Sequence, residues 1–247
     1  MKYRAVIFDL DGTAMHSIPT GIPSIRLIQA IAMHKTIHFS CATGRNWSFA
    51  KKAVQSLNLT SPCIISAGTQ IINPQTEKIL WQKTIEKNDV KRVLKVIQHY
   101  SYHVDINDEL PDSTRVRKDC AFEKPLYLIN IKTVPKGASD VLCKKINNIL
   151  GMICIKAISQ TKGYFDLHIT HKDATKENAV NKFRLLLGLE KKDTIGIGDG
   201  HNDIHLFNAV GFKIAMGNAV LELKDQANLV IDTVNNDGLA RFIEGLH

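Results

Sequence analysis

Four polar clusters, set at or just beyond the ends of apolar runs, constrain this chain more tightly than its composition does. The run Ala5–Leu10 passes into Asp9-Leu10-Asp11-Gly12-Thr13, and Thr36–Cys41 is followed by Thr43-Gly44-Arg45. Lys176 opens a helical pattern, and Thr194–Ile197 runs into Gly198-Asp199-Gly200-His201-Asn202-Asp203. Short apolar runs alternating with helix-period segments describe buried parallel strands joined by crossover helices. Ile22, Ile25, Ile28 and Ile31 mark the first helix, with Pro23 near its start, where a missing N–H costs little. A second helix is expected over Asn46–Leu57 and a third strand over Cys63–Ser66, after which Asn73-Pro74 turns a hairpin between Gln70–Ile72 and Ile79–Trp81. Right-handed crossovers then place helices on both faces of a parallel sheet.

The alternation breaks after residue 82. Helix Asp89–Tyr100, strand Tyr102–Ile106, an irregular stretch Asn107–Lys124, strand Leu126–Val134, helix Ala138–Leu150 and strands Met152–Ile158 and Tyr164–Ile169 form an α+β pattern. It resumes with helix Lys176–Leu187, strand Thr194–Ile197, helix Asn202–Val210, strands Phe212–Ala215 and Leu229–Ile231, and helix Leu239–Gly245. The expected fold class is α/β: a Rossmann-like parallel-sheet core covered on both faces by helices, with an inserted α+β domain. Its expected division is core 1–82, insertion 83–163 and core 164–247. A chain of 247 residues has room for this, at about 150 residues per domain.

Composition removes several classes of function. No apolar stretch approaches the roughly 18 residues of a membrane helix, and Ala5–Phe8 is cut off by Asp9 too early for a signal peptide. The expected compartment is the cytoplasm, with no membrane partner. Cys41, Cys63, Cys120, Cys143 and Cys154 include no Cys-x-x-Cys pair and read as reduced packing residues. The net charge is +8, and residues 82–165 hold fifteen basic and nine acidic side chains, so +6 of it sits in the insertion. Without a run of five like charges or interleaved aromatics, this surplus does not point to nucleic acid. It suits either a solvated face or a cap that attracts an anionic substrate through Arg115, Arg117 and Lys118. His16, His168, His171, His201 and His205 read as surface or core histidines, and Trp47 and Trp81 as packing residues.

Ligands of open parallel sheets bind beyond the carboxyl ends of the strands, so the four clusters should converge. Together they bring the carboxylates of Asp9, Asp11, Asp199 and Asp203, the Thr43 hydroxyl, the Lys176 ammonium and the Asn202 amide. Clustered carboxylates repel unless a cation neutralises them, and an all-oxygen donor set suits magnesium. A cation, a lysine and a hydroxyl at helix N-termini form a receptor for a phosphoryl group, and a carboxylate beside them can accept that group covalently.

In order and spacing these clusters resemble the four motifs of the haloacid dehalogenase superfamily of phosphohydrolases. The tail Ala215-Met216-Gly217-Asn218-Ala219, with Leu223-Lys224 beyond it, is similar to the Cof-type and sucrose-phosphate phosphatase-like subfamily, which carries its cap between the second and third motifs. The resemblance implies a magnesium-dependent phosphomonoester hydrolase acting on a small phosphorylated metabolite, most simply a sugar phosphate. It implies Asp9 as nucleophile and Asp11 as general acid and then base. Magnesium would be held by the Asp9 carboxylate, the Asp11 backbone carbonyl and Asp199, with Asp203 steadying the site. Thr43, Gly44, Arg45, Lys176 and Asn202 would hold the phosphoryl oxygens. The alternatives are a phosphomannomutase-like phosphotransferase, which Thr43-Gly44-Arg45 disfavours, and a non-catalytic binding protein on the same fold. Two departures stand out: Ala67-Gly68 replaces the Asn-Gly of many Cof-like chains, and Gly200-His201 stands where serine is frequent.

Overall fold

The computed structural model describes residues 3–16, 21–106, 125–159 and 161–246. Arg115, Arg117, Lys118, Cys120 and the irregular stretch Asn107–Lys124 lie outside the described residues. The central sheet is formed by β1 (Ala5–Phe8), β2 (His38–Cys41), β10 (Thr194–Gly198), β11 (Phe212–Ala215) and β12 (Leu229–Val230). All its pairings are parallel, in the order β12-β11-β10-β1-β2. Every residue of β1 is fully buried, as a strand covered on both faces requires.

Alternate side chains of β1 divide between two layers. Val6 and Phe8 pack with α1 (Ile25–Ala32), α2 (Trp47–Ser56) and α8 (Gly238–Glu244). Ala5 and Ile7 pack with α5 (Lys176–Leu187) and α6 (Ile204–Ala209). The first helix begins at Ile25, three residues after the apolar repeat does, because Ser24 is extended and its hydroxyl caps the Leu27 N–H. The fourth polar cluster enters its helix through a 3₁₀ turn, His201–Asp203, so α6 starts two residues later than expected. A short helix, α7 (Leu221–Lys224), follows β11 where none was expected. Beside the central sheet, β3 (Cys63–Ile65), β4 (Gln70–Ile72) and β5 (Ile79–Gln82) form an antiparallel meander joined to β2 by an Ala42–Ile64 bridge.

The intervening segment forms a second layer pair. Strands β6 (His103–Ile106), β7 (Ile129–Pro135), β8 (Met152–Ile158) and β9 (Tyr164–His171) make an antiparallel sheet in the order β6-β7-β9-β8. It is backed by α3 (Lys87–Ile97) and α4 (Lys136–Asn147). An insertion ending at residue 163 would separate β9 from the two strands it hydrogen-bonds, so the sheet runs one strand beyond the sequence boundary. The register between β7 and β9 shifts between Ile131 and Val134, where Thr133 takes a positive φ of 53° and its N–H bonds Asp166. Cys41, Cys63, Cys143 and Cys154 are buried free thiols, in line with packing roles.

Candidate active site

Asp9 follows β1, Thr43 follows β2, Asp199 follows β10 and Lys176 is the first residue of α5. Parallel pairing of β1 with β2 and β10 therefore gathers three of the four clusters at one sheet edge, and α5 aims its N-terminus at the same place. Thr175 caps α5 by accepting the Asn178 N–H, which fixes where Lys176 starts. Gly68, at φ +95°, packs so closely on the Thr175–Lys176 peptide that a β-carbon could not fit.

Lys176 is the centre of the cluster. Its side chain is 2% exposed, and Nζ donates to Asp9 Oδ1 at 3.0 Å and to Asp203 Oδ1 at 2.7 Å. Burial alone would lower the pKa of this ammonium, but the carboxylates of Asp203 and Asp9 outweigh it and hold it above the usual lysine value. Asp203 is fully buried, and its Oδ2 accepts the backbone N–H groups of Asp199 and Gly200, both at 3.0 Å. Its two oxygens thus brace the whole fourth cluster.

Burial pushes the Asp9 carboxyl up to about 7 despite Lys176, with Asp203 and Asp11 adding to the rise. Asp199 is also raised well above the ordinary carboxylate range, by burial and then by Asp203 and Asp9. It accepts from the Thr13 hydroxyl at 3.1 Å and the Asn218 amide at 3.4 Å, and Asn218 also donates to the Gly12 carbonyl at 2.8 Å. Gly12, at φ +77°, lies against the Asp199 carboxylate with no space for a side chain.

Oxygens of Asp9, Asp199 and Asp203 all lie within 4.8 Å of one another. Three ionised carboxylates and one ammonium leave two negative charges in a buried space, which a divalent cation with oxygen ligands would balance. The residues present therefore fit magnesium. The Asp11 carboxylate does not join the other three as the sequence grouping suggested. Arg45 grips it with a two-pronged fork, Nε to Oδ2 at 2.7 Å and Nη2 to Oδ1 at 2.6 Å. Arg45 is turned to Asp11, and the Asp11 carboxylate stands at the rim of the cluster.

Thr43 is buried, and its hydroxyl accepts the Arg45 N–H at 3.1 Å. Asn202, on the 3₁₀ turn, is half-buried with its amide folded back over Gly200. Of the expected histidines, His201 packs its ring, tilted and with centroids 5.6 Å apart, against Phe165 of β9, which ties the four-stranded sheet to the fourth cluster. His168 lies directly over Gly44. The supporting positions of Thr13 and Asn218 had a visible signal, since both lie in the quoted motifs. The approach of His168 had none, because no local pattern encodes a contact between β9 and the loop after β2.

Residues 6–119 and 122–243 match the family model of the haloacid dehalogenase-like hydrolases. The chain belongs to that family and is an enzyme of its type, so the non-catalytic alternative falls. A phosphoglycolate phosphatase of Methanosarcina acetivorans is 24% identical over 249 residues, covering 100% of this chain and 97% of that protein. A haloacid dehalogenase-like hydrolase from B. subtilis superposes with a TM-score of 0.83 at 18% identity, over 100% of both chains. The subclass IIB sugar phosphatase BT4131 gives 0.78 at 20% identity over 98% of both chains. These structural likenesses carry the fold. Among the described residues no helix is long and apolar enough to cross a membrane.

Proposed function

We propose that this chain is a magnesium-dependent phosphomonoester hydrolase that passes the phosphoryl group through Asp9, with a small phosphorylated metabolite, a sugar phosphate, as substrate. The observation that carries this reading is the buried triad of Asp9, Asp199 and Asp203 with Lys176 bonded between two of them. A brace of that kind is poor at stabilising a fold, since desolvating the ions costs several kcal/mol each, and useful for receiving a charged group.

Asp9 attacks phosphorus, a P–O bond forms to its carboxylate, and the ester P–O bond breaks with its electron pair leaving on the alcohol oxygen. Asp11 gives that oxygen a proton, then takes one back from the water that attacks the aspartyl phosphate, which frees inorganic phosphate and restores Asp9. The Arg45 fork holds both Asp11 oxygens as acceptors, so Asp11 has to leave at least one prong to carry the proton. Lys176, the Thr43 hydroxyl and the Gly44 N–H receive the phosphoryl oxygens, with Asn202 at the edge. Asp9, the Asp11 carbonyl and Asp199 would hold magnesium, with Asp203 behind them, and the ion supplies positive charge to the transferring phosphoryl group. Residues 83–171 act as the cap over this core, and the reduced thiols suit a cytoplasmic enzyme. Release of p-nitrophenol from p-nitrophenyl phosphate, with and without magnesium, tests the reading. Turnover only with the metal is expected, and a rate unaffected by chelation contradicts it.

A further inference from the structure

The four-stranded sheet has two faces of different character. Ile129, Ile131, Met152, Cys154, Leu167 and Ile169 point into the core backed by α3 and α4. Their strand neighbours point the opposite way, toward the catalytic edge of the parallel sheet. Asn130 on β7 and His168 and Thr170 on β9 occupy that face, with Leu128 just before β7. Leu128 packs with Ala67 beyond β3, and a β-carbon on Gly44 would lie 2.8 Å from Cε1 of His168. Asn130 and His168 are directly paired across the two strands, so both side chains form one patch of the roof above Thr43-Gly44.

That patch is polar and unfinished. Asn130 is 1% exposed and His168 7%, yet Asn130 Oδ1 and His168 Nδ1 have no hydrogen-bond partner among the described residues. Buried polar atoms are nearly always bonded, so two adjacent exceptions over a substrate site call for a ligand. Burial, reinforced by Lys132 and Lys176, pushes the His168 imidazole down to about 3, so the ring is neutral. The Asn130 oxygen can only accept a hydrogen bond. Nδ1 of the neutral His168 ring donates or accepts according to its tautomer, so it can serve a hydroxyl either way, and the Asn130 oxygen repels an anion. A carboxylate brings acceptors alone and would face the Asn130 oxygen with nothing to donate, whereas a hydroxyl can both donate and accept.

We infer that Asn130 and His168 are specificity-determining residues that read hydroxyl groups on the leaving alcohol, so that the enzyme selects polyhydroxylated phosphate esters over carboxylated ones. This deepens the phosphatase reading and rests on it. A substrate seated on Thr43-Gly44 displaces the His168 ring from Gly44, and its hydroxyls complete the two orphaned atoms. A carboxylated ester such as phosphoglycolate leaves the Asn130 oxygen unpaired.

The test measures kcat/KM of the full-length, magnesium-loaded enzyme on hexose, pentose and glycerol phosphates, phosphoglycolate and p-nitrophenyl phosphate. Wild type should favour its best hydroxylated ester over phosphoglycolate by about tenfold or more, the discrimination expected when buried polar groups are left unpaired. Asn130→Leu and His168→Phe keep the shape of the side chain and remove its polar atoms. Each should cut the ratio of sugar-phosphate to p-nitrophenyl phosphate kcat/KM by about tenfold. Thermal melts confirm folding, and His168→Phe decides the matter if Asn130→Leu does not fold. An unchanged ratio in a folded variant, or a wild-type preference for phosphoglycolate, overturns the inference while leaving the phosphatase reading intact. Failure of wild type to hydrolyse any of these esters overturns both.

Discussion

The floor and the roof of the site are built on opposite terms. In the floor the charged groups are tied to one another and to the backbone: Lys176 serves Asp9 and Asp203, and Asp203 serves Lys176 and two backbone N–H groups. In the roof, Asn130 and His168 are as deeply buried and each keeps an atom with no partner. On the proposed function, the difference teaches that the half that would handle the phosphoryl group is set before substrate arrives, while the half that would meet the leaving group is completed by what binds.

The sharpest way to break the floor is to remove Asp9, the proposed nucleophile. Asp9→Asn keeps shape and a hydrogen-bond acceptor for Lys176 but has no charge with which to attack phosphorus. Turnover should fall by roughly 10⁴-fold or more, as for other covalent nucleophiles, with the circular dichroism spectrum of wild type. Activity within a few-fold of wild type would remove Asp9 from the reaction.

The next largest effect separates floor from roof by stability. Asp203→Ala takes one partner from the buried Lys176 ammonium and two acceptor contacts from the Asp199 and Gly200 N–H groups. Breaking a buried pair in this way costs about 3–5 kcal/mol, read as a lower urea midpoint. Asn130→Leu removes an oxygen that has no partner among the described residues and should lower the midpoint much less. Equal losses in both would mean that floor and roof are held in the same way.

A smaller effect follows from the raised carboxyls. Asp9, pushed to about 7, and Asp199, also raised, hold protons in the folded state that the unfolded chain has already lost. Without metal the stability they contribute is therefore present at low pH and lost as pH rises from about 4 through 7. The Lys176 shift lies above the ordinary lysine value and does not act in that window. Magnesium needs the deprotonated carboxylates, so its stabilisation should be a few degrees in melting temperature near pH 8 and smaller near pH 5. Equal magnesium shifts at both pH values would contradict the assignment of Asp9 and Asp199 as its ligands.

The floor was legible in the sequence and the roof was not, for a physical reason. Asp9, Thr43 and Asp199 lie at or just past the ends of continuous apolar runs, and parallel pairing brings such ends together whatever the loops do. Lys176 was equally visible because it opens a helical pattern, and the structure adds the Thr175 cap that fixes its place. The Arg45–Asp11 fork links two motifs 34 residues apart and depends on side-chain reach, which spacing does not encode. Asn130 and His168 sit in strands read correctly as strands. Strand alternation sets them opposite the apolar residues, but what that face covers depends on how the sheet sits over Gly44. The strand β9 was also cut short, because His171 and Thr170 look no different from a polar loop until they pair with Met152 and Ile153.

The central claim is that Asp9 carries the phosphoryl group. Acid quench of the enzyme during turnover of p-nitrophenyl phosphate, followed by borohydride reduction, converts an aspartyl phosphate into homoserine that peptide mass mapping locates. The account predicts homoserine at position 9 alone, dependent on magnesium and absent without substrate. Continued turnover with position 9 unmodified, or homoserine at position 199 instead, would contradict it.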